Sequence, residues 1–511
     1  MADLLDTQVV VVGAGPVGLM LAAELRLGGA DVVVLERRHA ASRESRASTL
    51  HARTMEILDI RGQIEEFGSP PNEPRGHFGG IPLDLTLPGP YPGQWKVLQT
   101  RTEALLEEWA LFLGVDIRCG HELLALSGGG EDDAATEYIE AQAVRRDGTA
   151  VRVRARYLVG CDGEDSTVRR LVGAAFPGHD AGRELIRADV SGIDIPNRRF
   201  ERLEQGLAIA ARRPDGVTRV MVHEFGSTAR PRTRDAEFVE VADVWKRVTG
   251  EDISGGTPLW VNAFGDASRL LESYRHGRVL FAGDAAHKQM PIGGQALNLG
   301  LQDAFNLGWK LAAEVTGRAA DGLLDSYHSE RHAVGRRVLA NIEAQAGLLL
   351  GGPEVEPLRS VLTELMGLEP VRAHLAGMIS GLDVRYDVGG DGEADRHPLL
   401  GARLPVLRLV SAVPVAGSLT TAELLRTGRG LLLDLGGAEV PASVRDAWAD
   451  RVATAAARPA EPGGPLDGAA CVLVRPDGHV VWVGSAGQAG RGGGAGDGLR
   501  GALERWFGAP R

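Results

Sequence analysis

Three glycines and an acidic residue near the N-terminus have the spacing of a dinucleotide-binding turn. Gly13, Gly15 and Gly18 follow an apolar run at residues 9–12, and Glu36 ends the next apolar run. In such a turn the first glycine permits a sharp bend, the second admits a pyrophosphate, and the third lets a helix lie close to the strand. The helix N-terminus then faces the phosphate charge. The pattern predicts a βαβ unit that binds a dinucleotide.

The acidic residue at position 36 indicates which dinucleotide the turn would accept. A carboxylate at the end of the second strand accepts hydrogen bonds from ribose hydroxyls and repels a phosphate at the same place. Glu36 therefore favours an unphosphorylated adenosine ribose, as in FAD or NAD. The alternative is a glycine-rich turn in an α/β protein that binds no nucleotide.

Two aspartates further along the chain come directly after apolar runs. These are Asp162, which Gly163 follows, and Asp284. Gly163 can expose backbone amides to a phosphate, and Asp162 can accept a hydrogen bond from a hydroxyl or a water. A second interpretation makes this segment a helix start that Asp165 or Ser166 caps. Both aspartates would lie at the carboxyl ends of strands, where α/β sheets bind ligands.

The elements that must position these residues divide the chain into four parts. Residues 1–175 hold the nucleotide-binding part, with a proline- and glycine-rich excursion near 70–98 that cannot be one continuous helix. Alternating apolar and polar residues predict a mostly antiparallel sheet over 176–262, which would form a substrate wall. Residues 263–393 again belong to the nucleotide-binding part, to which they add long helices. Residues 394–511 form a small α/β appendage, so the fold class is α/β.

The appendage carries a strong hairpin signal. Its pattern predicts a strand at 430–435, a helix at 444–457 and another strand at 470–475. Asp477 and Gly478 then separate two apolar runs, which predicts a type I′ turn because both of its central residues need a positive φ.

Composition excludes several classes of protein. The chain has 511 residues, of which 44% are hydrophobic and 24% charged, and its net charge of −12 is opposite to that of a phosphate-tracking surface. Nucleic acid is therefore not an expected partner. No run reaches the ~18 apolar residues of a membrane helix, and no export signal is visible. The three cysteines are far apart and form no metal-ligand spacing, so we expect a cytoplasmic protein without a metal site.

Taken together, the glycine turn with Glu36, the Asp162 segment and the Asp284 segment resemble the single-component FAD-dependent aromatic hydroxylases. Segments at 76–80, 327–335 and 502–508 are similar to the bacterial aromatic-polyketide hydroxylases that act on angucycline-type skeletons. The resemblance implies a Rossmann-like FAD-binding domain, an antiparallel-sheet substrate domain and a C-terminal thioredoxin-like domain. That last domain holds only Cys471, so dithiol redox chemistry is not available to it.

The resemblance also implies the chemistry. FAD would be bound tightly but not covalently, NADPH or NADH would reduce it transiently, and a flavin-4a-hydroperoxide would hydroxylate a polycyclic aromatic substrate with molecular oxygen. Baeyer–Villiger insertion, oxidative ring opening and a noncatalytic flavoprotein assembly partner stay open as alternatives. The oligomeric state also stays open, with a dimer as one option.

The resemblance assigns contacts with the cofactor to specific positions and identifies no catalytic residue. Asp284 would bind the ribityl hydroxyls of FAD, and His77, His223 and His287 are better explained as structural histidines than as a base. The chain departs from the family pattern at Ala296, where glycine is usual, and at Leu299, where a small polar residue is usual. The cofactor-binding set is Gly13, Gly15, Pro16, Gly18, Glu36, Arg37, Arg46, Gln99, Asp162, Asp284, Pro291 and Gly294.

Overall fold

The structure is a computed structural model of the chain. It describes residues 3–40, 47–129, 137–230, 232, 234–389, 397–411, 419–436, 440–485 and 495–510.

Strands and helices alternate through the first third of the described chain, and long helices follow in the middle. The strands are β1 (Asp3–Val12), β2 (Val32–Glu36), β3 (Leu50–His51), β4 (Asn72–Glu73), β5 (Arg75–Phe78), β6 (Ile81–Asp84), β7 (Gln94–Trp95), β8 (Asp116–Cys119), β9 (His121–Ser127), β10 (Ile139–Arg145), β11 (Ala150–Gly160), β12 (Gly178–His179), β13 (Glu184–Ser191), β14 (Arg198–Arg202), β15 (Gly206–Arg212), β16 (Thr218–Glu224), β17 (Thr257–Gly265), β18 (Ser268–Leu270), β19 (Arg275–His276), β20 (Val279–Phe281), β21 (His287–Lys288), β22 (Arg408–Ser411), β23 (Leu419–Thr420), β24 (Gly430–Asp434), β25 (Val452–Pro459), β26 (Ala469–Val474) and β27 (Val480–Ser485). The helices are α1 (Pro16–Leu27), α2 (Ala52–Ile60), α3 (Gln99–Phe112), α4 (Thr167–Leu171), α5 (Phe238–Thr249), α6 (Gln295–Val315), α7 (Asp325–Leu350), α8 (Glu356–Met366), α9 (Glu369–Ser380), α10 (Ala442–Ala447) and α11 (Ala495–Phe507).

A largely parallel sheet forms the centre of the molecule. Its strands lie in the order β19, β20, β11, β1, β2, β8, and the pairs from β20 to β8 are parallel. The apolar run at residues 9–12 is buried because helices cover the sheet, as parallel sheets require. The predicted βαβ unit is therefore present as β1, α1 and β2.

A second sheet is antiparallel throughout, as its alternating sequence predicts. Its order is β14, β15, β16, β13, β17. One face packs on α5 through small and β-branched residues such as Ala188, Val220 and Val222. The opposite face carries Arg187, which pairs in register with Asn262, and this face is turned toward the parallel sheet's ligand edge.

The C-terminal part contains a six-stranded mixed sheet in the order β23, β22, β25, β24, β26, β27. The predicted helix at 444–457 is wrong beyond Ala447, because residues 452–459 form β25 and pair with β24 in parallel. Alanine favours a helix in isolation, but pairing with the buried β24 overrides that preference here.

The predicted hairpin joins β26 and β27, but its turn type is different from the prediction. Gly478 has φ 80°, whereas Asp477 is not among the described residues with positive φ. Pro476 holds a negative φ at the first central position, and the second, Asp477, has no positive φ, so residues 475–478 form a type I turn that ends at Gly478. The Gly478 N–H donates to the Arg475 carbonyl at 2.8 Å and closes that turn.

The tip of this hairpin is buried against α6 and α7 through a cluster of charges, which we call the hairpin cluster. Arg475 donates to both carboxylate oxygens of Glu330 at 2.6 and 3.0 Å, and also to Asp477. Lys310 donates to Glu330 at 2.8 Å and to Asn306 at 2.9 Å. Two carboxylates and two cations balance in charge, and this cluster holds the appendage to the central body.

Candidate functional site

A cavity of about 890 Å³ lies between the ligand edge of the parallel sheet and the antiparallel sheet. This volume is at the upper end of the ~300–1,000 Å³ range of small-molecule sites. The carboxyl ends of β1, β2 and β11 all reach it, which is where open α/β sheets bind ligands. The residues of the predicted set that line it are Gly13, Gly15, Pro16, Glu36, Arg37, Gln99, Asp162, Asp284 and Pro291.

The glycine turn between β1 and α1 is shaped by close backbone contacts. Gly13 has φ 105°, and a Cβ there would lie 2.4 Å from the Cys161 carbonyl oxygen. A Cβ on Gly18 would lie 2.0 Å from the Gly13 oxygen, so this residue packs inside the turn. No heavy atom of the described residues lies within 4 Å of a Cβ placed on Gly15, which leaves open space at the start of α1. An anion can therefore approach the N-terminus of this helix.

Glu36 lies at the end of β2 with both carboxylate oxygens already held. One accepts from the Ala14 N–H at 2.8 Å, and the other accepts from the Arg38 N–H and side chain at 2.8 and 2.9 Å. Burial pushes the pKa of Glu36 upward, but the hydrogen bonds from Arg38 and Ala14 outweigh it and the pKa is lowered. Glu36 is therefore ionised and fixed in orientation, and Oε2, which accepts one hydrogen bond from protein, retains capacity to accept a ribose hydroxyl.

Asp162 combines a structural role with an unused acceptor. Its Oδ2 accepts from the Val168 N–H at 3.0 Å, whereas its Oδ1 is buried and has no partner among the described residues. Ser166 is the N-cap of α4 and accepts from the Arg169 N–H at 3.0 Å, as the capping interpretation predicts. Since buried carboxylate oxygens are normally paired, the free Oδ1 indicates a place for a ligand donor.

Asp284 projects into the cavity from the turn that follows β20, and it is exposed. The preceding Gly283 donates its N–H to Asp303 at 3.2 Å, and His287 contacts the same carboxylate at 2.8 Å. Arg331 donates to the other oxygen of Asp303 at 2.7 Å. The fully buried Asp303 thus braces the turn that presents Asp284.

Burial pushes the pKa of Asp303 upward, but Arg331 and His287 outweigh burial and the pKa is lowered. Sequence reasoning missed this brace, because Asp303 and Arg331 lie on α6 and α7 and no short motif joins them to the turn.

The loop before α6 has its positive φ values before Ala296, the position where the family pattern has glycine. Gly293 and Gly294 have φ 64° and 70°, so these two residues take the left-handed conformations. Ala296 lies in the first turn of α6 without a positive φ, and it lines the cavity. Its methyl group therefore causes no backbone strain, while Leu299 is buried and lines a separate cavity of about 30 Å³.

Asn298 and His51 hold this loop, and sequence reasoning missed both. Asn298 donates to the carbonyls of Thr49 and Gly294 at 3.0 and 2.8 Å and accepts from the His51 N–H at 2.8 Å. The His51 ring contacts the Gly293 carbonyl at 2.9 Å. A Cβ on Gly294 would lie 3.1 Å from Thr49, so Gly294 contributes to the site through this packing.

Gln99 and Arg46 are two further residues of the predicted cofactor-binding set. Gln99 begins α3, accepts from the Ala47 N–H at 3.2 Å and donates to Glu103 at 2.9 Å. It lines the cavity with its amide already engaged by protein. Arg46 lies outside the described residues.

The three candidate histidines all have protein partners. His223 is buried and contacts the carbonyls of Glu184 and Leu350 at 2.8 and 3.2 Å. His77 accepts from the Gly80 N–H at 3.2 Å, and burial lowers its pKa to about 4. With His287 bound to Asp303, each ring has the contacts of a structural histidine.

The antiparallel sheet supplies the opposite wall of the cavity through Arg187, Asn262 and Phe264. The Arg187 guanidinium lies 4.6 Å from the ring centroid of Trp260 and 4.9 Å from that of Phe264. This wall therefore offers a cation and an amide among aromatic faces, which suits a planar, oxygenated ring system.

The residues present fit FAD. The open space beside Gly15, the oriented carboxylate of Glu36 and the Oδ1 of Asp162, which has no described partner, match the phosphates and hydroxyls of an adenine dinucleotide.

The single thiol of the appendage lies in an environment that suits a structural role. Cys471 is fully buried, and burial raises its pKa to about 12.

Two family models match the chain. The model described as "FAD binding domain" matches residues 6–342, and the model described as "Aromatic-ring hydroxylase, C-terminal" matches residues 397–510. Among the helices that the structure describes, none is both long and apolar enough to cross a membrane.

Characterised proteins resemble the chain over nearly its whole length. A 12-dehydrotetracycline 5-monooxygenase/anhydrotetracycline 6-monooxygenase of Streptomyces rimosus is 40% identical, covering 98% of this chain and 99% of its own. The crystal structure of CabE, an aromatic hydroxylase from angucycline biosynthesis, is 48% identical with a TM-score of 0.89, covering 99% of this chain and 100% of its own. The structure of BexE, studied for oxidation during BE-7585A biosynthesis, is 49% identical with a TM-score of 0.88 over the same shares.

Proposed function

This chain belongs to the FAD-dependent aromatic-ring hydroxylases, and from that premise we propose that it hydroxylates a polycyclic aromatic polyketide of the angucycline type. The observation that carries the proposal is the shared cavity, in which phosphate- and hydroxyl-binding groups on one wall face an aromatic and cationic wall on the other. The names of the similar tetracycline and angucycline enzymes support the choice of substrate class.

Bound FAD, once reduced by NADPH or NADH, supplies the activation of molecular oxygen. The chain's own contribution is to bind, orient and exclude water. We propose that the open N-terminus of α1 takes the pyrophosphate, Glu36 the adenosine ribose, and Asp162 and Asp284 further hydroxyls. Arg37, Pro16 and Pro291 would add contacts along the same cavity.

The antiparallel sheet has two tasks in this proposal. Phe264 and its neighbours keep water from the reacting ring, because water would divert activated oxygen to hydrogen peroxide. Arg187 stabilises negative charge on a phenolic substrate, since a phenolate is a better nucleophile than a phenol. No described histidine or carboxylate in the cavity identifies itself as the base that removes the phenolic proton.

We also propose a division of the chain into domains. Residues 1–175 and 263–393 form the nucleotide-binding part, residues 176–262 form the substrate sheet, and residues 394–511 form the appendage. The mixed sheet of the appendage supports a thioredoxin-like domain without redox function.

Aerobic turnover of a tetracyclic polyketide panel tests the function. The FAD-reconstituted protein is given NADPH or NADH under ¹⁸O₂, and the products are analysed by mass. We expect one labelled oxygen in a new hydroxyl group and substrate-stimulated oxidation of the nicotinamide. Label inside a new ester would instead assign Baeyer–Villiger insertion or ring opening. The absence of both nicotinamide oxidation and an oxygenated product would favour a noncatalytic assembly role, and nicotinamide oxidation without any oxygenated product would mean an uncoupled oxidase; either result would contradict the proposal.

A further inference from the structure

Gln289 has a carboxamide whose two polar atoms are both buried and both without a partner. Neither Oε1 nor Nε2 makes a hydrogen bond within the described part of the chain. Gln345 shows the usual arrangement, since its amide donates to Asn341 at 2.9 Å and accepts from the Gly79 N–H at 3.2 Å. Native proteins seldom bury an amide with both ends unsatisfied. The Gln289 side chain therefore has the capacity for two hydrogen bonds that this protein does not supply.

Gln289 lies in the lining of the large cavity, on the segment between Asp284 and the loop before α6. It directly follows β21, whose His287 pairs in register with Leu270 of β18. It also lines the cavity together with Pro291, two residues further on. The short segment that contains β21 and Gln289 thus leads from the turn of Asp284 to the loop before α6.

The wall that shares this cavity with Gln289 is suited to a flat ring system. Arg187 and Asn262 pair across β13 and β17 on the cavity face, and Phe264 lies two residues along β17. The contacts of Arg187 with the rings of Trp260 and Phe264 place its positive charge among aromatic faces. A ligand against this wall would be planar and rich in oxygen.

A carboxamide presents an acceptor and a donor side by side, so its complement is a ligand edge with a neighbouring donor and acceptor. A phenolic hydroxyl next to a ring carbonyl has that arrangement. We propose that Gln289 is a specificity-determining residue that accepts from such a hydroxyl and donates to the adjacent carbonyl of the substrate. This inference rests on the proposed function, because it names the feature of the polycyclic substrate that the cavity selects.

Equilibrium binding to the FAD-loaded protein tests this role without requiring turnover. The probes are a tetracyclic quinone with a hydroxyl beside its carbonyl and the matched O-methyl ether, which lacks the donor. Binding is followed by the change in flavin absorbance. The variants are Gln289→Leu, which removes both polar atoms, and Gln289→Glu, which removes the donor. Gln142→Leu, on the exposed side of β10, is the matched control.

We expect Gln289→Leu to raise the Kd of the hydroxyquinone about 30-fold and that of the ether only about threefold. The affinity for FAD stays unchanged, and Gln142→Leu binds as the unmodified protein does. Gln289→Glu should weaken hydroxyquinone binding as well, because a carboxylate meets the carbonyl. Equal losses for both probes, unchanged binding, no binding by the unmodified protein, or a loss of FAD affinity would each overturn the assignment.

The outcomes for Gln289 and for the overall function are separable. Selective binding through Gln289 without any oxygenated product would refute the proposed hydroxylation and leave the assignment standing. Oxygenation of the panel with equal binding by Gln289→Leu would refute the assignment alone.

Discussion

The hairpin cluster and the large cavity both bury charged and amide side chains, and they differ in how completely those groups are paired. In the hairpin cluster, Arg475 and Lys310 both donate to Glu330, and Asn306 donates to Asp477. In the cavity, Asp162 Oδ1 and the amide of Gln289 lack partners within the part of the chain that the structure describes. The difference teaches that completed pairing marks a structural contact, whereas missing pairing at a cavity wall marks a place for a ligand.

The pKa values of the hairpin cluster fit a structural role. Burial alone would raise the pKa of Glu330, but Arg475 and Lys310 lower it to about 2. Burial lowers the pKa of Lys310 to about 8 against the opposing effect of Glu330. At neutral pH the charged groups therefore satisfy one another, and removing one of them leaves the others uncompensated.

Arg475→Met gives the largest expected effect. It leaves Glu330 and Asp477 buried without their shared cation, so we expect the free energy of unfolding to fall by about 3–5 kcal/mol. Chemical denaturation of the FAD-free protein measures this loss. The exposed Arg500–Glu504 pair supplies the control, since Arg500→Met removes a solvent-screened contact and should change stability by less than about 0.5 kcal/mol. Similar losses in the two variants would remove the distinction between buried and exposed pairs.

The pH dependence of stability gives the second-largest expected effect. His479 is buried beside Asp477, and its pKa is lowered to about 4, mainly by burial and against the attraction of Asp477. The unfolded side chain binds a proton near pH 6.5, whereas the folded one stays neutral. The contribution of neutral His479 to the free energy of unfolding is therefore fully present above pH 6.5 and is lost as the pH falls toward 4. At pH 5 the loss amounts to about 2 kcal/mol.

Unfolding curves from pH 7.5 to pH 5 check this effect, with His479→Gln as the comparison. His51 and His77 have similarly lowered pKa values and remain in both proteins, so the difference in slope isolates His479. Equal slopes would mean that His479 titrates normally in the folded protein.

Asp284→Ala gives a smaller effect at the cavity. Asp284 is exposed, so the FAD-free protein should keep its stability while its Kd for FAD rises about tenfold through loss of hydroxyl contacts. Flavin fluorescence titration measures the affinity, and Asp243→Ala on the exposed side of α5 is the control. Unchanged FAD affinity would refute the role proposed for Asp284.

Local sequence rules predicted much of the nucleotide side of the site. Gly13, Glu36 and Asp162 each follow an apolar strand, and parallel strands bring their carboxyl ends to one edge. The antiparallel sheet was predicted from stretches in which apolar and polar residues alternate. Such patterns involve residues that are close in sequence, so they can be recognised without knowledge of the tertiary structure.

The braces behind the site could not be predicted, because they join distant segments. Asp303 contacts His287 sixteen residues earlier and Arg331 on the next helix, and Asn298 reaches back to His51. The error at 444–457 has a related cause, since pairing with β24 decided the state of an alanine-rich segment. The prediction of a type I′ turn at Asp477 is wrong, because Pro476 holds a negative φ at the first central position of the turn.

The most direct test of the contrast between the two regions is the FAD affinity of Asp162→Asn beside that of Arg475→Met. The asparagine oxygen can still accept from the Val168 N–H, so α4 keeps its contact, but an amide group replaces the acceptor that faces the cavity. We predict that Asp162→Asn raises the Kd for FAD about tenfold with unchanged stability of the FAD-free protein. Arg475→Met should lose stability and, where it remains folded, keep its FAD affinity within about threefold. Unaltered FAD affinity in Asp162→Asn, with a loss of stability like that of Arg475→Met, would contradict the account.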